Sequence, residues 1–177
     1  MNSITVFCSA SNLDEKYVND AYELARLIAL NKYELFWGGS YEGLMRTVAD
    51  GVREGGGKIH GVSMEILRDV AMNDADEMVF AKDHAERKAI MIDRGDAIVI
   101  LAGGIGTLDE AATVIELKKH GLVNKPIIFL DTDGFYEGLK TQLLRMKMEG
   151  FIQNELEDLV FFAKTPKDAI EYLQNPK

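Results

Sequence analysis

The chain is poor in the residues that staple, break or anchor a fold. One cysteine, Cys8, stands among 177 residues. No disulfide can form within the chain, so a reducing compartment suits it, and we expect it in the cytoplasm. Prolines number only three, and no Pro- or Ser-rich linker divides the chain, so one domain is expected over residues 1–177. No apolar run approaches the roughly 20 residues that a bilayer span needs. The opening MNSITVFCSASN lacks a basic segment followed by a long apolar stretch, and reads as a first strand rather than a signal peptide. The three histidines, His60, His84 and His120, are scattered, so each reads as a structural or surface residue and no metal is expected. Basic residues are also in deficit: 20 Lys and Arg against 29 Asp and Glu give a net charge of -9. No basic stripe is visible, which argues against nucleic acid and membrane surfaces as partners. The same acidity repels free nucleotides at long range. Any phosphate site must be local, built from backbone N–H groups and one or two well-placed cations.

What is present is ordinary for a globular protein: 47% hydrophobic and 28% charged residues. Short apolar runs alternate with amphipathic segments. Strands are expected at Ile4–Cys8, Glu34–Trp37, Lys58–Val62, Met78–Phe80, Ala97–Leu101, Ile127–Leu130 and Leu159–Phe162. Helices are expected at Asp14–Leu30, Leu44–Arg53, Ala85–Asp93, Thr107–Lys119, Phe135–Met148 and Pro166–Leu173. The triplet Gly55-Gly56-Gly57 stops the second helix. Alternation of this kind, with continuously apolar strands, predicts an α/β fold: a Rossmann-like, doubly wound parallel sheet flanked by helices. Ligands in such folds sit outside the carboxyl ends of the strands. Glycine turns follow two of the strands, after Trp37 and after Leu101.

The segment Leu101-Ala102-Gly103-Gly104-Ile105-Gly106-Thr107-Leu108-Asp109-Glu110 runs from a buried strand through three glycines into a helix. Glycine permits positive φ and close approach of a ligand. The helix N-terminus offers unpaired N–H groups and the positive end of its dipole. Thr107 and Glu110 also have the spacing of a capping box, so a purely structural reading of Glu110 stays open. The glycine register fits neither a dinucleotide fingerprint nor a P-loop. In Asp83-His84-Ala85-Glu86-Arg87-Lys88, Arg87 could fork onto a carboxylate or phosphate, or be a solvated charge on a helix face. In Trp37-Gly38-Gly39-Ser40-Tyr41-Glu42-Gly43-Leu44-Met45, a second strand–glycine–helix turn could add N–H donors, or be a tight turn with a core methionine.

Together these segments resemble the LOG-type proteins, the cytokinin-activating phosphoribohydrolases, many of which bear the label "lysine decarboxylase-like". The family pattern P-G-G-x-G-T-x-x-E is matched from Ala102 to Glu110. Its Arg-Lys pair is matched by Arg87-Lys88 after Asp83, and its Gly-Leu-Met turn by Gly43-Leu44-Met45. Asn124-Lys125-Pro126 and Asp133-Gly134-Phe135-Tyr136 extend the likeness over most of the chain. The resemblance implies a Rossmann-like sheet, a homodimer or higher homo-oligomer, and no cofactor. It also implies cleavage of the N-glycosidic bond of a nucleoside 5′-monophosphate, AMP or an N6-modified AMP, to base and ribose 5-phosphate. By residue, it implies Arg87 and Glu110 as catalytic. Gly103, Gly104, Gly106 and Thr107 would form the phosphate loop, with Lys88, Gly39, Gly43 and Met45 also contacting substrate. In that scheme Arg87 lowers the pKa of Glu110 and holds it ionised, so that the carboxylate stabilises an oxocarbenium-like ribosyl transition state. The chain departs from the pattern at Ala102, at Ser40-Tyr41-Glu42 and at Arg46. The alternative is a non-catalytic nucleotide or molybdenum-cofactor carrier on the same scaffold. An NAD(P) oxidoreductase is disfavoured by the lack of an early G-x-G-x-x-G, and a PLP decarboxylase by a short chain with no marked Schiff-base lysine.

Overall fold

The first strand, β1 (Ser3–Phe7), is buried at all five positions, as a strand covered on both faces must be. In the computed structural model, which describes residues 1–175, it is the central strand of one sheet. The others are β2 (Glu34–Trp37), β3 (Ile59–Met64), β4 (Glu77–Ala81), β5 (Ala97–Ile100), β6 (Ile127–Leu130) and β7 (Phe161–Ala163). Their order is β4-β3-β2-β1-β5-β6-β7, and every pairing is parallel. The chain winds outward from β1 to one edge, then returns to pair β5 against the other side of β1. The order therefore reverses between β1 and β5, and the crevice at that reversal is where a doubly wound sheet receives ligands.

Successive strand residues feed two cores. Ile4, Val6, Leu35, Trp37 and Val99 join one cluster, into which α1 (Glu15–Leu30), α2 (Gly43–Glu54) and α7 (Pro166–Gln174) pack. Phe7, Ile98, Ile100 and Phe129 join the other, with α3 (His84–Arg94), α4 (Ile105–Lys119), α5 (Glu137–Met148) and the short α6 (Leu156–Leu159). This is the expected doubly wound α/β architecture. The glycine stop after α2 works as expected: Gly56 takes φ +76° and the Gly57 N–H returns to the Val52 carbonyl at 2.9 Å.

Several boundaries differ from the sequence reading. β4 is a full five-residue edge strand, in register with β3 along its whole length. The apolar run Leu159–Phe162 divides between two elements. Leu156 and Leu159, both buried, form one face of a helical turn closed by the Val160 N–H on the Leu156 carbonyl at 2.9 Å, and the strand begins only at Phe161. α5 starts at Glu137, because a 3-10 turn over Thr132–Gly134 precedes it. A second 3-10 turn, Glu65–Val70, links β3 to β4.

Candidate active site

At the end of β5 the chain turns through Gly103 and Gly104 into α4. The helix begins at Ile105, two residues before the expected Thr107, with Gly104 as N-cap and no side-chain cap. Its first internal hydrogen bond runs from the Leu108 N–H to the Gly104 carbonyl at 3.0 Å. The N–H groups of Ile105, Gly106 and Thr107 therefore have no partner within the helix. None of Gly103, Gly104 and Gly106 has positive φ, so left-handed freedom is not why glycine stands there. Gly103 is required by close packing: a Cβ would lie 2.2 Å from the buried Thr107 Oγ1. At Gly104 and Gly106 a Cβ would meet nothing within 4 Å. Both line a cleft of about 550 Å³ and present bare backbone to it.

The capping-box reading of Glu110 does not hold. Thr107 is the third residue of α4, and Glu110 reaches across to α3, where its Oε1 accepts from Arg87 Nη1 at 2.7 Å. The solvated-charge reading of Arg87 fails as well, since its side chain is only 10% exposed. Arg87 Nε donates to the Val62 carbonyl at 2.9 Å. The remaining face of the guanidinium lies against Gly38, where a Cβ would come within 2.4 Å of Nη2 and 2.7 Å of the Met45 thioether. The start of α3 is itself firmly held. Asp83 accepts from the Glu86 N–H at 2.8 Å, and Glu86 accepts from the Lys82 N–H at 2.7 Å.

The electrostatics of Glu110 correct one expectation. Burial pushes its carboxyl above the usual carboxylate range, and the opposing pull of Arg87 and Lys88 does not cancel that push. Arg87 limits the rise without reversing it. Burial also drives the Cys8 thiol, which lines the same cleft, far upward, with the nearby Glu110 adding to the effect. Lys88 Nζ is tied to α4 through Asp109 Oδ2 at 2.7 Å and Thr113 Oγ1 at 3.1 Å.

Seven of the ten expected residues meet in this cleft: Met45, Arg87, Lys88, Gly104, Gly106, Thr107 and Glu110. Gly103 supports it from behind. Gly39 lies outside it, in a left-handed turn at φ +75° against Met78 and Ser63. Gly43, at φ +53°, packs on the Ala10 and Ser11 backbone and lines a neighbouring cavity of about 600 Å³. Sequence reasoning missed Gly38 and the cleft residues Cys8, Ser9, Ala10, His84 and Asp109. The signal for the first three of those five was topological, because they follow β1, the strand beside β5.

Residues 45–173 match the family model described as "Possible lysine decarboxylase". The chain is 34% identical over 174 residues to a probable cytokinin riboside 5′-monophosphate phosphoribohydrolase of Oryza sativa subsp. japonica, covering 97% of this chain and 71% of that one. It is also 34% identical to the cytokinin riboside 5′-monophosphate phosphoribohydrolase of Rhodococcoides fascians, over 98% of this chain and 90% of the relative. The enzyme of that name from Mycobacterium tuberculosis gives 34%, over 95% and 91%. The chain belongs to the LOG family. Among solved structures, the molybdenum cofactor binding protein of Rippkaea orientalis superposes with a TM-score of 0.75 at 22% identity, over 98% of this chain and 96% of that one. The molybdenum cofactor carrier protein of Chlamydomonas reinhardtii gives 0.73 at 21%, over 98% and 97%. At these identities the likeness is one of fold, which the LOG-family chain shares with both.

Proposed function

We propose that the chain hydrolyses the N-glycosidic bond of a nucleoside 5′-monophosphate, releasing the base and ribose 5-phosphate. The observation that carries this reading is the buried Arg87–Glu110 pair, set in one cleft beside an uncapped helix N-terminus with bare glycine backbone. Relatives named as phosphoribohydrolases at 34% identity support it. In this scheme the 5′-phosphate rests on the N–H groups that open α4, with Lys88 at the rim as the local cation. Glu110, on the next turn of the helix, faces the ribose. Its carboxylate stabilises positive charge developing at the anomeric carbon and orients the attacking water. Arg87 positions that carboxylate and opposes its protonation.

The direct test is to incubate the protein with AMP and with N6-isopentenyl AMP and to assay base and ribose 5-phosphate. Glu110→Gln and Arg87→Ala should each lower kcat by roughly 10²–10³-fold, the scale of losing a preorganised charge-stabilising group. Unchanged turnover in both variants overturns the assignment. A non-catalytic nucleotide or molybdenum-cofactor carrier, the alternative, would give tight binding or a co-purifying pterin with no base released. Two further readings belong to the same proposal. Ile105 and Leu108 beside the cleft, with Met148 and Phe151 on α5 and its following turn, are exposed apolar side chains. They suit a homo-oligomer, which light scattering checks. Cys8, a buried free thiol, suits the cytoplasm.

A further inference from the structure

Met45 and Arg87 meet at one point of the cleft wall. The place that a Cβ on Gly38 would take lies 2.7 Å from the Met45 sulfur and 2.4 Å from Arg87 Nη2, so thioether and guanidinium are close neighbours. The other two nitrogens of Arg87 are committed, Nε to the Val62 carbonyl and Nη1 to Glu110. Nη2 has no hydrogen-bond partner among the described residues. It is not sealed in either, since the one fully enclosed side-chain atom left unpaired among those residues is His60 Nδ1. Nη2 is therefore an open donor in the cleft that Met45 and Arg87 both line. Met45 is itself only half-buried, unlike Met91, which is 1% exposed. A thioether accepts hydrogen bonds weakly, so the reduced side chain leaves Nη2 free.

We propose that Met45 is a site of reversible oxidation by peroxides, and that its sulfoxide shuts the site down by capturing Nη2 of Arg87. This inference rests on the phosphoribohydrolase reading above. The peroxide O–O bond breaks, one oxygen bonds to the Met45 sulfur, and the other leaves as water with both peroxide protons. Sulfur gives up two electrons and the peroxide takes them. The new oxygen is a polar acceptor on a side chain with three rotatable bonds, and the charged donor beside it is unclaimed. The bond that forms draws the guanidinium toward α2 and away from Glu110. Methionine sulfoxide reductases, with a dithiol that becomes a disulfide, remove the oxygen as water and restore the thioether. Cys8 does not compete for the oxidant, because burial holds its thiol protonated and the thiolate is the reactive form.

The experiment treats the protein with hydrogen peroxide and follows sulfoxide by mass spectrometry beside base release from AMP. Met45, Met91 and Met148 each stand as the single methionine of a tryptic peptide, so their oxidation is read separately. Met148, 79% exposed, should oxidise first, Met45 next and Met91 last. Turnover should fall in step with Met45 and not with Met148, by about tenfold or more at full oxidation, the scale on which small misplacements act. Methionine sulfoxide reductases with dithiothreitol should restore it. Met45→Leu, a volume-conserving change whose fold a thermal melt verifies, should keep its own untreated rate under the same peroxide, although its other methionines still oxidise. Met45 that stays reduced until Met91 oxidises, turnover that survives full oxidation of Met45, or a Met45→Leu protein inactivated as fast as wild type overturns the switch and leaves the hydrolase reading standing. No base released by the untreated protein overturns the hydrolase reading, and the switch falls with it.

Discussion

At Gly38, the space where a side chain would begin already holds one edge of the Arg87 guanidinium and the tip of Met45. Met45 can swing aside, but Arg87 cannot, because Val62 and Glu110 fix its other nitrogens. Gly38→Ala should therefore push the guanidinium off Glu110. We expect kcat to fall by roughly tenfold to a hundredfold, the scale on which small misplacements act, while the melting temperature changes by only a few degrees. Steady-state kinetics alongside a thermal melt separates the two effects. Glu110 makes a second prediction at this scale. If the carboxylate must be ionised to act, its raised pKa places the acid limb of the kcat/KM profile, which reports the free protein, above the range of an exposed glutamate. An acid limb in the ordinary carboxylate range would contradict the assignment. The folded state binds this proton more tightly than the unfolded chain does. This group alone therefore removes stability as pH rises from the ordinary range through its raised pKa. The identities of Arg87 and Glu110 were legible in the sequence, through the motif. Their environment was not. An Arg partner argues for a lowered carboxylate pKa, and only burial depth, a property of the fold, decides against it.

The turn between β6 and α5 shows how one element serves another. Asp131 accepts from the Tyr136 N–H at 2.6 Å, Asp133 sits at φ +53° bound to Lys16 on α1, and Thr132 bonds Asp20 of the same helix. These contacts aim Tyr136, whose hydroxyl donates to the Leu101 carbonyl at 2.7 Å. Leu101 is the residue from which the glycine turn departs. Tyr136→Phe leaves that buried carbonyl unpaired, at about 1–3 kcal/mol, and frees the root of the turn. Weaker nucleotide binding, seen as a KM that rises more than kcat falls, is the expected outcome. A loss confined to stability would show that Tyr136 does not position the turn. The sequence displayed the Asp133–Tyr136 motif without its purpose, because the partner lies 35 residues earlier in the chain. Periodicity located the long elements, and was weakest where an apolar run changed structure midway, as between Leu159 and Phe161. The early start of α4 was hidden because Gly106 reads as a loop residue. It stands in the first helical turn, where its lack of a side chain leaves the backbone open to the cleft.

Across the whole molecule, the parallel sheet and its two helical layers follow from alternating apolar runs. The strand order does not, because nothing local in β5 states that it returns to β1 rather than extending the edge. That return assembles the cleft. It brings the chain after β1, the α3 arginine and the opening of α4 to one point, and so it recruits Cys8, Ser9 and Ala10, which no motif had marked. Cys8 is 2% exposed, and burial holds its thiol protonated. A protonated, enclosed sulfur reacts with an alkylating reagent only when its surroundings part. The chain's lone thiol is thus a clock set into the cleft wall. Its rate of modification counts how often β1 and its neighbours breathe open, and a nucleotide seated above it would slow the count.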